Sequence, residues 1–461
     1  MPPFPPQGTR YLTLLSRHSL GNGTMVMLPL LSLRWGMKHI TLPYLQEALS
    51  LEVAEGNLLG VFEPNDLKIS NTDIITEALS NPVGSGSLDA FLEGAKSVLI
   101  IINDATRPTP TPAMLEALLP YLEKHQIADS KITILIATGA HRGATENEFP
   151  QLLGKFAPRL TRCCVSHDAR QTEDLIHLGD TRNGTPIVLN RRLFASERII
   201  VTGSVEPHYF AGFTGGRKAF LPGVASYETI TENHKLALSN RAHALALEGN
   251  PVHEDMMDAL PHIKAPVFSL MTVLDKEQEV ASATSGDLVE AFHAAVKVAM
   301  EIFCVDIPQK ADVVVSVAKF PMDINLYQSQ KAMDNGALAT KDGGTLILVS
   351  SCREGLGDEE FAKLLSGAKT PEEAISKIEQ GYKLGYHKAA KMAAISQRMQ
   401  VQGITMLEDA TLASLFIEPV HNLQEAVDRA LERARKNGVP EPKLLVLPDG
   451  CVTVPNVKQV Q

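Results

Sequence analysis

Cysteine is scarce in this chain of 461 residues, and its five cysteines show no CxxC pair. Their spacing also lacks the regularity of a disulfide framework, so a reducing cytoplasm is the simplest compartment for the chain. The five positions are Cys163, Cys164, Cys304, Cys352 and Cys451.

Positive charge is also in short supply. The chain has 43 lysines and arginines against 53 aspartates and glutamates, which gives a net charge of -10. No basic stripe is present to neutralise phosphates, so we expect no nucleic-acid partner. Small anions remain candidate ligands, because the local field of a site matters more to them than the net charge.

Long apolar runs are missing as well, since none reaches the roughly 18 to 20 residues that a membrane helix requires. Residues 1–36 contain short apolar patches without the order of a signal peptide. A regular pattern begins at Met37. We therefore expect no membrane partner and a non-native or disordered extension at residues 1–36, which N-terminal sequencing of the native protein would test.

What the sequence does contain is an alternation of apolar runs of strand length with amphipathic helical segments. Such near-continuous apolar strands are typical of a parallel sheet that helices cover on both faces, so the pattern predicts an α/β fold. The clearest runs are Val98–Ile102, Lys131–Ala137, Arg198–Val201, Ala311–Val317, Thr345–Ser350 and Leu444–Leu447.

The alternation occurs twice, which predicts two α/β domains, each with a mostly parallel sheet. We place the first domain at residues 37–304 and the second at residues 305–461. Residues 305–310 form the predicted linker between them. The last strand, Leu444–Leu447, is a candidate for packing back on the first domain.

Three predicted strands of the first domain end in polar clusters. Ligands bind outside the carboxyl ends of the strands in open α/β sheets, so these clusters should converge on one crevice. The clusters contain Asp104 and Arg107, His141 and Arg142, and His208 and Lys218.

The glycine-rich loop Gly212–Lys218 departs from the phosphate-binding loop of nucleotide triphosphatases. In that motif a lysine follows the second glycine directly and a hydroxyl residue comes next. Here Arg217 intervenes before Lys218, and Ala219 follows. The loop still favours a ligand that approaches the backbone closely, and Lys218 could bind an anion, form an imine or be solvated.

Histidine is the side chain whose ordinary pKa suits proton transfer near neutrality. His141 and His208 each could be structural, but two histidines at strand ends of one sheet favour an acid/base pair. Such a pair suits inversion of a carbon centre, since each enantiomer then meets its own base. Alternatively, His234 could join them in the zinc site of a hydrolase, although no HExxH motif is present.

Other polar groups also permit two interpretations. Arg107 could capture a phosphate or pair with Asp104. Tyr327, Gln328 and Lys331 have helical spacing, and could hold a carboxylate or decorate the start of a helix. A binding or cofactor-carrying protein without catalytic activity is a third hypothesis for the whole chain.

Five segments in this order resemble the lactate racemase family, which uses a nickel-pincer nucleotide. The resemblance runs from Met37 to the end of the chain and across both predicted domains. The segments are DATRP (Asp104–Pro108), ATGAHR (Ala137–Arg142), EPHYFAGFTGGRKAFLPG (Glu206–Gly223), ENH (Glu232–His234) and LYQSQK (Leu326–Lys331).

The resemblance implies a cofactor, a pyridinium-3,5-bisthiocarboxylate mononucleotide that holds Ni(II), with its site in the cleft between the domains. It implies that Lys218 carries the cofactor covalently and that His234 is the protein ligand to nickel. The remaining implied roles are nucleotide contacts for Asp104, Ala105, Thr106 and Arg107, acid/base roles for His141 and His208, and substrate binding for Tyr327, Gln328 and Lys331.

The implied activity is a racemase or epimerase acting at C2 of a 2-hydroxy acid, with lactate as the default substrate. Hydrogen on that carbon is a poor acid, so its removal as hydride avoids a carbanion, and the cofactor supplies this difficult step. The implied partners are the small hydroxy acid and the enzymes that make the cofactor.

Overall fold

The computed structural model describes residues 36–45, 47–67 and 73–458. The extension expected at residues 1–36 therefore lies outside the described residues, apart from Gly36. Among the residues described, no helix is long and apolar enough to cross a bilayer.

Strands and helices alternate along most of the described chain. The strands are β1 (Met37–Tyr44), β2 (Glu47–Ala54), β3 (Leu58–Val61), β4 (Val98–Asn103), β5 (Ile132–Ala137), β6 (Cys164–Ser166), β7 (Leu175–Asp180), β8 (Pro186–Asn190), β9 (Arg198–Ser204), β10 (Pro207–His208), β11 (Gly212–Phe213), β12 (Val267–Leu274), β13 (Val280–Gly286), β14 (Cys304–Ile307), β15 (Ala311–Val317), β16 (Thr340–Val349), β17 (Gln400–Ile404), β18 (Glu418–Pro419), β19 (Leu444–Leu447) and β20 (Val454–Val457). The α-helices are α1 (Ile74–Ser80), α2 (Leu88–Leu92), α3 (Thr111–Lys124), α4 (Phe149–Leu153), α5 (Ala157–Leu160), α6 (Tyr227–Lys235), α7 (Pro251–Ala259), α8 (Leu288–Phe303), α9 (Leu326–Ala339), α10 (Glu359–Ser366), α11 (Pro371–Gln380), α12 (Tyr386–Arg398), α13 (Asp409–Ser414) and α14 (Leu423–Lys436).

The first sheet has six strands in the order β13-β12-β9-β4-β5-β6. All neighbours are parallel except β13, which pairs antiparallel with β12. Successive residues of β4 explain its unbroken apolar run: Leu99 and Ile101 pack into one core, and Ile100 and Ile102 pack into another on the opposite face. A sheet covered on both faces requires this composition.

The second sheet is parallel throughout, in the order β18-β17-β16-β15-β19-β3. Its central strand β15 is fully buried, with Val314 in one core and Val313 and Val315 in the core on the other face. The prediction of a two-domain α/β fold with mostly parallel sheets is confirmed.

Strand pairing divides the chain differently from the boundaries that the sequence suggested. β3 pairs with β19 at the edge of the second sheet, and β1 and β2 pack on the core of that sheet. We propose on this pairing that residues 37–62 belong to the second domain rather than to the first, a division that a folded fragment of residues 73–303 would support. An apolar strand looks the same in either sheet, and its distant partner is invisible in the local pattern.

Three further sequence expectations need correction. β19 (Leu444–Leu447) lies inside the second sheet, so this strand does not pack back on the first domain. The predicted linker at residues 305–310 contains most of β14, which pairs with β20. The alanine-rich, helical pattern of residues 236–247 predicts a helix, but the structure has one 3-10 turn that ends at Leu238, and Leu245 N then donates to Gly212 O at 3.2 Å.

Candidate active site

The polar clusters after β4, β5 and β9 meet at one edge of the first sheet. These three strands are parallel neighbours, so their carboxyl ends lie side by side. Asp104 directly follows β4, and His141 lies four residues after β5. Their side chains are joined by a 2.8 Å contact between Asp104 Oδ2 and His141 Nδ1. The shared crevice expected from the strand ends is therefore present for this pair.

Asp104 is buried and held as an acceptor. Its Oδ1 accepts hydrogen bonds from Thr106 Oγ1 at 2.6 Å and Thr106 N at 3.2 Å. Burial acts to raise the pKa of Asp104, but the bonds from His141 and Thr106 outweigh it, so the pKa lies below its ordinary value. An ionised Asp104 makes His141 Nδ1 a donor, which leaves Nε2 of this exposed ring as the nitrogen that can receive a proton.

Arg107 lies in the turn that follows Asp104, with its backbone N bonded to Asp104 O at 3.2 Å. Among the described residues its guanidinium forms no ion pair, so the alternative of a local Asp104–Arg107 pair is not what the structure contains. Ala105, between them, packs against the apolar core. The turn therefore presents a cation at the end of β4.

His208 is presented by the short hairpin of β10 and β11. Its Nδ1 accepts a hydrogen bond from Ala211 N at 3.3 Å, and its ring stacks on Tyr209 at 5.0 Å. Burial, followed by the charges of Lys218 and Arg107, holds the pKa of His208 well below its usual value. The ring is therefore neutral, and Nε2 is the nitrogen left for a ligand.

Arg217 holds the glycine-rich loop in shape and is fully buried. It donates to His253 Nδ1 at 3.0 Å, to Ala211 O at 2.7 Å and to Gly215 O at 3.2 Å. Gly215 has a φ of +79°, a left-handed backbone conformation in which a residue with a side chain would be strained. The sequence singled out Arg217 only as an interruption of a phosphate-binding motif, and its structural role carried no local signal.

Lys218, the other cation of the glycine-rich loop, is available to the candidate site. Among the described residues no carboxylate forms an ion pair with it, and its Nζ lies 5.6 Å from the centre of the Phe210 ring. Burial, with the charges of Arg107 and Arg217, lowers the pKa of Lys218 well below its usual value. A larger neutral fraction makes the amine a better nucleophile.

His234 lies in the last turn of α6, a helix that Ser226 caps by accepting a hydrogen bond from Thr229 N. Its Nδ1 is buried and has no hydrogen-bond partner among the described residues. Burial, helped by the charge of Lys218, lowers the pKa of His234 to about 3. A neutral imidazole with an unpartnered buried nitrogen has the donor chemistry of a metal ligand.

The three histidines do not assemble a metal site by themselves. Within the described residues, no group of three or more histidine, cysteine, aspartate or glutamate side chains is arranged to hold a metal ion. A site at His234 would therefore take its other ligands from a bound molecule.

The second domain contributes α9, whose first turns contain Tyr327, Gln328 and Lys331. Lys331 lines a small cavity of about 10 Å³ together with His208, Glu206, Asn335 and Cys451, which is room for about one water-sized group. Lys331 from one domain and His208 from the other thus face the same space.

The contacts of Tyr327 and Gln328 are with other protein groups and do not point to a ligand. The Tyr327 ring packs edge-on against Phe361 at 5.7 Å, and Lys388 Nζ lies 3.7 Å from the centre of the Tyr327 ring. Gln328 is half-buried in the first turn, where its backbone N donates to the capping Asn325 at 2.9 Å. The proposed substrate-binding roles of these two residues stay predictions, as do the roles of the other site residues.

His253, the partner of Arg217, should make the protein sensitive to acid. Burial, with the charge of Arg217, lowers the pKa of His253 to about 3 in the folded protein. In the unfolded chain this histidine has its ordinary pKa of about 6.5, so it takes up a proton at a higher pH than in the folded protein. The free energy of unfolding should therefore fall by about 1.4 kcal/mol per pH unit for this residue between pH 6.5 and 3. Urea unfolding of the cofactor-free protein at pH 7, 6 and 5 measures this slope.

The variant His253→Gln keeps an acceptor for Arg217 and removes the titration, so its stability should fall less steeply with acid. His421→Gln, at an exposed position, is the matched control and should keep the wild-type slope. Equal slopes for all three proteins would contradict the prediction.

Two family models match the chain: the lactate racemase N-terminal domain over residues 44–245 and the lactate racemase C-terminal domain over residues 307–454. A lactate racemase of Thermoanaerobacterium thermosaccharolyticum is 30% identical over 429 residues, which cover 91% of this chain and 99% of that protein. A lactate racemase of Lactiplantibacillus plantarum is 29% identical over 424 residues, covering 90% of this chain and 99% of that protein.

Solved structures agree with these sequence matches. The lactate racemase apoprotein from Thermoanaerobacterium thermosaccharolyticum superposes with a TM-score of 0.84 and 31% identity, covering 92% of this chain and 100% of that chain. A crystal structure of a Thermotoga maritima protein has a TM-score of 0.65 at 19% identity, covering 85% of this chain and 100% of that chain, and shows the fold alone.

Proposed function

The chain belongs to the lactate racemase family, and on that premise we propose that it inverts the C2 centre of a 2-hydroxy acid by reversible hydride transfer, with lactate as the first substrate to test. The observation that carries the proposal is the pair of histidines whose Nδ1 atoms both have protein partners. His141 is held by Asp104 and His208 by Ala211 N. Both rings keep Nε2 for a substrate, and Lys331 lines the same cavity as His208.

The residues present fit a bound nickel-pincer nucleotide. His234 has an unpartnered buried nitrogen for the metal, and Lys218 has an amine of lowered pKa for the covalent link. The turn from Asp104 to Arg107 offers the guanidinium of Arg107 to a nucleotide phosphate. When bound, this group supplies the acceptor for the hydrogen that leaves C2 with its electron pair.

The histidines of the chain handle the protons in this proposal. His141 Nε2 takes the hydroxyl proton of one enantiomer as the C2–H bond breaks, and Asp104 stabilises the charged ring. The product is a planar 2-keto acid. His208 Nε2 gives its N–H proton to the oxygen when hydrogen comes back to the opposite face of C2. The proton held by His141 then passes through solvent to His208, which restores both neutral rings, and the same steps run in reverse for the other enantiomer.

The second domain orients the substrate. Lys331 neutralises the substrate carboxylate, and Gln328 and Tyr327 lie on the same turns of α9. Lys331 lies in the electrostatic environment of His208, so a carboxylate held there brings C2 towards the acid/base pair.

Interconversion of enantiomers tests the proposal directly. The chain should be co-expressed with cofactor-making enzymes, incubated separately with D- and L-lactate, and followed by chiral chromatography. Both reactions are expected to approach an equal mixture, because the enantiomers have equal free energies. In D2O the product should carry no deuterium at C2, since the hydrogen moves as hydride and does not exchange with solvent.

A panel of larger single-enantiomer 2-hydroxy acids extends the assay if lactate is inert. No isomer formed from any of them by loaded protein would sink the proposal and favour a binding protein without catalytic activity. Deuterium at C2 would instead keep the racemase and refute hydride transfer.

A further inference from the structure

The hairpin that presents His208 touches the second domain through Tyr209. The Tyr209 hydroxyl lies 3.0 Å from Nε2 of His387, a residue of α12. The other nitrogen of that ring, Nδ1, lies 2.8 Å from the Tyr382 hydroxyl. His387 is 2% exposed, so both hydrogen bonds are shielded from water.

Burial keeps the histidine of this Tyr–His–Tyr chain neutral. Burial, followed by the charges of His234 and Lys388, holds the pKa of His387 well below its usual value. A neutral imidazole has one N–H donor and one acceptor nitrogen. One tyrosine hydroxyl therefore donates to the ring and the other accepts from it, and loss of His387 leaves both without this partner.

This chain of hydrogen bonds reaches His208 through the Tyr209 ring. Tyr209 stacks on His208 with ring centres 5.0 Å apart and planes inclined by 25°. Phe210 lies edge-on to both histidines, 4.5 Å from the centre of the His208 ring and 5.1 Å from that of His387. The rings of the hairpin and of α12 thus form one packed group.

Hydrogen bonds from the first domain hold the main chain of the hairpin, and the Tyr209 ring packs on the apolar core of that domain. Asn250 Nδ2 donates to Phe210 O at 2.8 Å, and Arg217 donates to Ala211 O at 2.7 Å. Both bonds end on carbonyl groups after Tyr209. The polar contact that holds the ring comes from the other domain.

We infer that His387 is a positioning residue, which acts through Tyr209 to orient His208 across the domain interface. This inference rests on the proposed function, since it needs His208 to be one of two acid/base groups. The alternative is that His387 has a purely structural role and only holds the two domains together. The alternatives differ in one respect: a joining role affects both enantiomers equally, whereas a positioning role affects the enantiomer that His208 deprotonates.

Single-turnover formation of keto acid from each pure enantiomer separates the two roles. The loaded enzyme is used in excess over one enantiomer, and the keto acid is measured after rapid quenching. In His387→Phe and in the near-isosteric Tyr209→Phe, the rate should fall by roughly tenfold to a hundredfold for one enantiomer and by less than about twofold for the other. His208→Ala identifies which enantiomer uses His208.

Tyr386→Phe is the matched control, because Tyr386 lies beside His387 on α12 and its ring is 6.3 Å from that of Tyr382. It should leave both rates unchanged. Equal slowing of both enantiomers by His387→Phe and Tyr209→Phe, or no slowing of either, would overturn the inference.

Hydrogen exchange of the full chain supplies a measurement that does not depend on activity. Peptides covering residues 205–214 should exchange faster in His387→Phe than in wild type, while peptides covering β4 keep their rate. If wild-type protein forms no keto acid, the proposed function fails, and faster exchange at the hairpin still supports the link from His387. Unchanged exchange at residues 205–214 would overturn that link whatever the activity.

Discussion

Replacing Lys218 by alanine is expected to leave the chain at its bare mass and its racemase activity at background. The amine of Lys218 has a lowered pKa because burial and the neighbouring cations disfavour its charged form, and a neutral amine is the form that can bond to carbon. Alanine has no group that replaces it. Intact mass spectrometry of the protein co-expressed with the cofactor-making enzymes measures the result, with wild type carrying an adduct.

Two further variants separate the interpretations that the sequence left open for Lys218. Lys218→Arg keeps a positive charge, so it should bind an anion but show no covalent adduct. Lys235→Ala, at an exposed position of α6, should load like wild type. An adduct that survives Lys218→Ala, or a bare wild-type mass, would refute the attachment. An adduct trapped only by borohydride would indicate an imine instead.

The family and the fold followed from the sequence because both rest on short-range patterns. The five motifs each occupy a few consecutive residues, and the membership that they suggested is confirmed, together with isomerase as the class of enzyme. β4, β5 and β15 are buried on both faces, so their unbroken apolar runs identify them as parallel strands. The same pattern explains why the strand ends of β4 and β5 could be expected to meet.

Other features depend on contacts between residues far apart in the sequence. β3 joins β19 across nearly the whole chain, and no local feature of Leu58–Val61 names its partner. His387 is embedded in an ordinary helical segment, and its two tyrosine partners come from different domains. Arg217 is similar, since its role follows from the distant His253 and from carbonyl groups. Such roles become visible once the packing is known.

The candidate site is rich in positive charge, although the chain as a whole is acidic. The net charge is -10, yet Arg107, Lys218 and Lys331 act on one another in the cleft, and the carboxylate of Glu206 is the acidic group that affects both lysines. Burial and the charge of Arg107 lower the pKa of both lysines, so the site holds its cations at a cost in free energy. Anionic ligands relieve this repulsion, which favours a substrate carboxylate and a cofactor phosphate over neutral ligands.

Replacing His234 by alanine should remove nickel while keeping the covalent adduct. The Nδ1 atom of His234 is buried without a partner, and its pKa of about 3 keeps the ring neutral, as a metal ligand must be. Nickel per chain, measured by plasma mass spectrometry after gel filtration, should fall by about tenfold or more, since even weaker perturbations of metal sites cost 10- to 100-fold. Intact mass should still show the organic part of the cofactor on Lys218.

His243→Ala is the matched control for this experiment, because His243 is exposed and its Nδ1 is bonded to Ala244 O at 2.9 Å. It should retain both nickel and adduct. Loss of nickel and adduct together in His234→Ala would mean that His234 shapes the pocket without binding the metal. Retention of nickel at the wild-type level would refute the ligand role of His234.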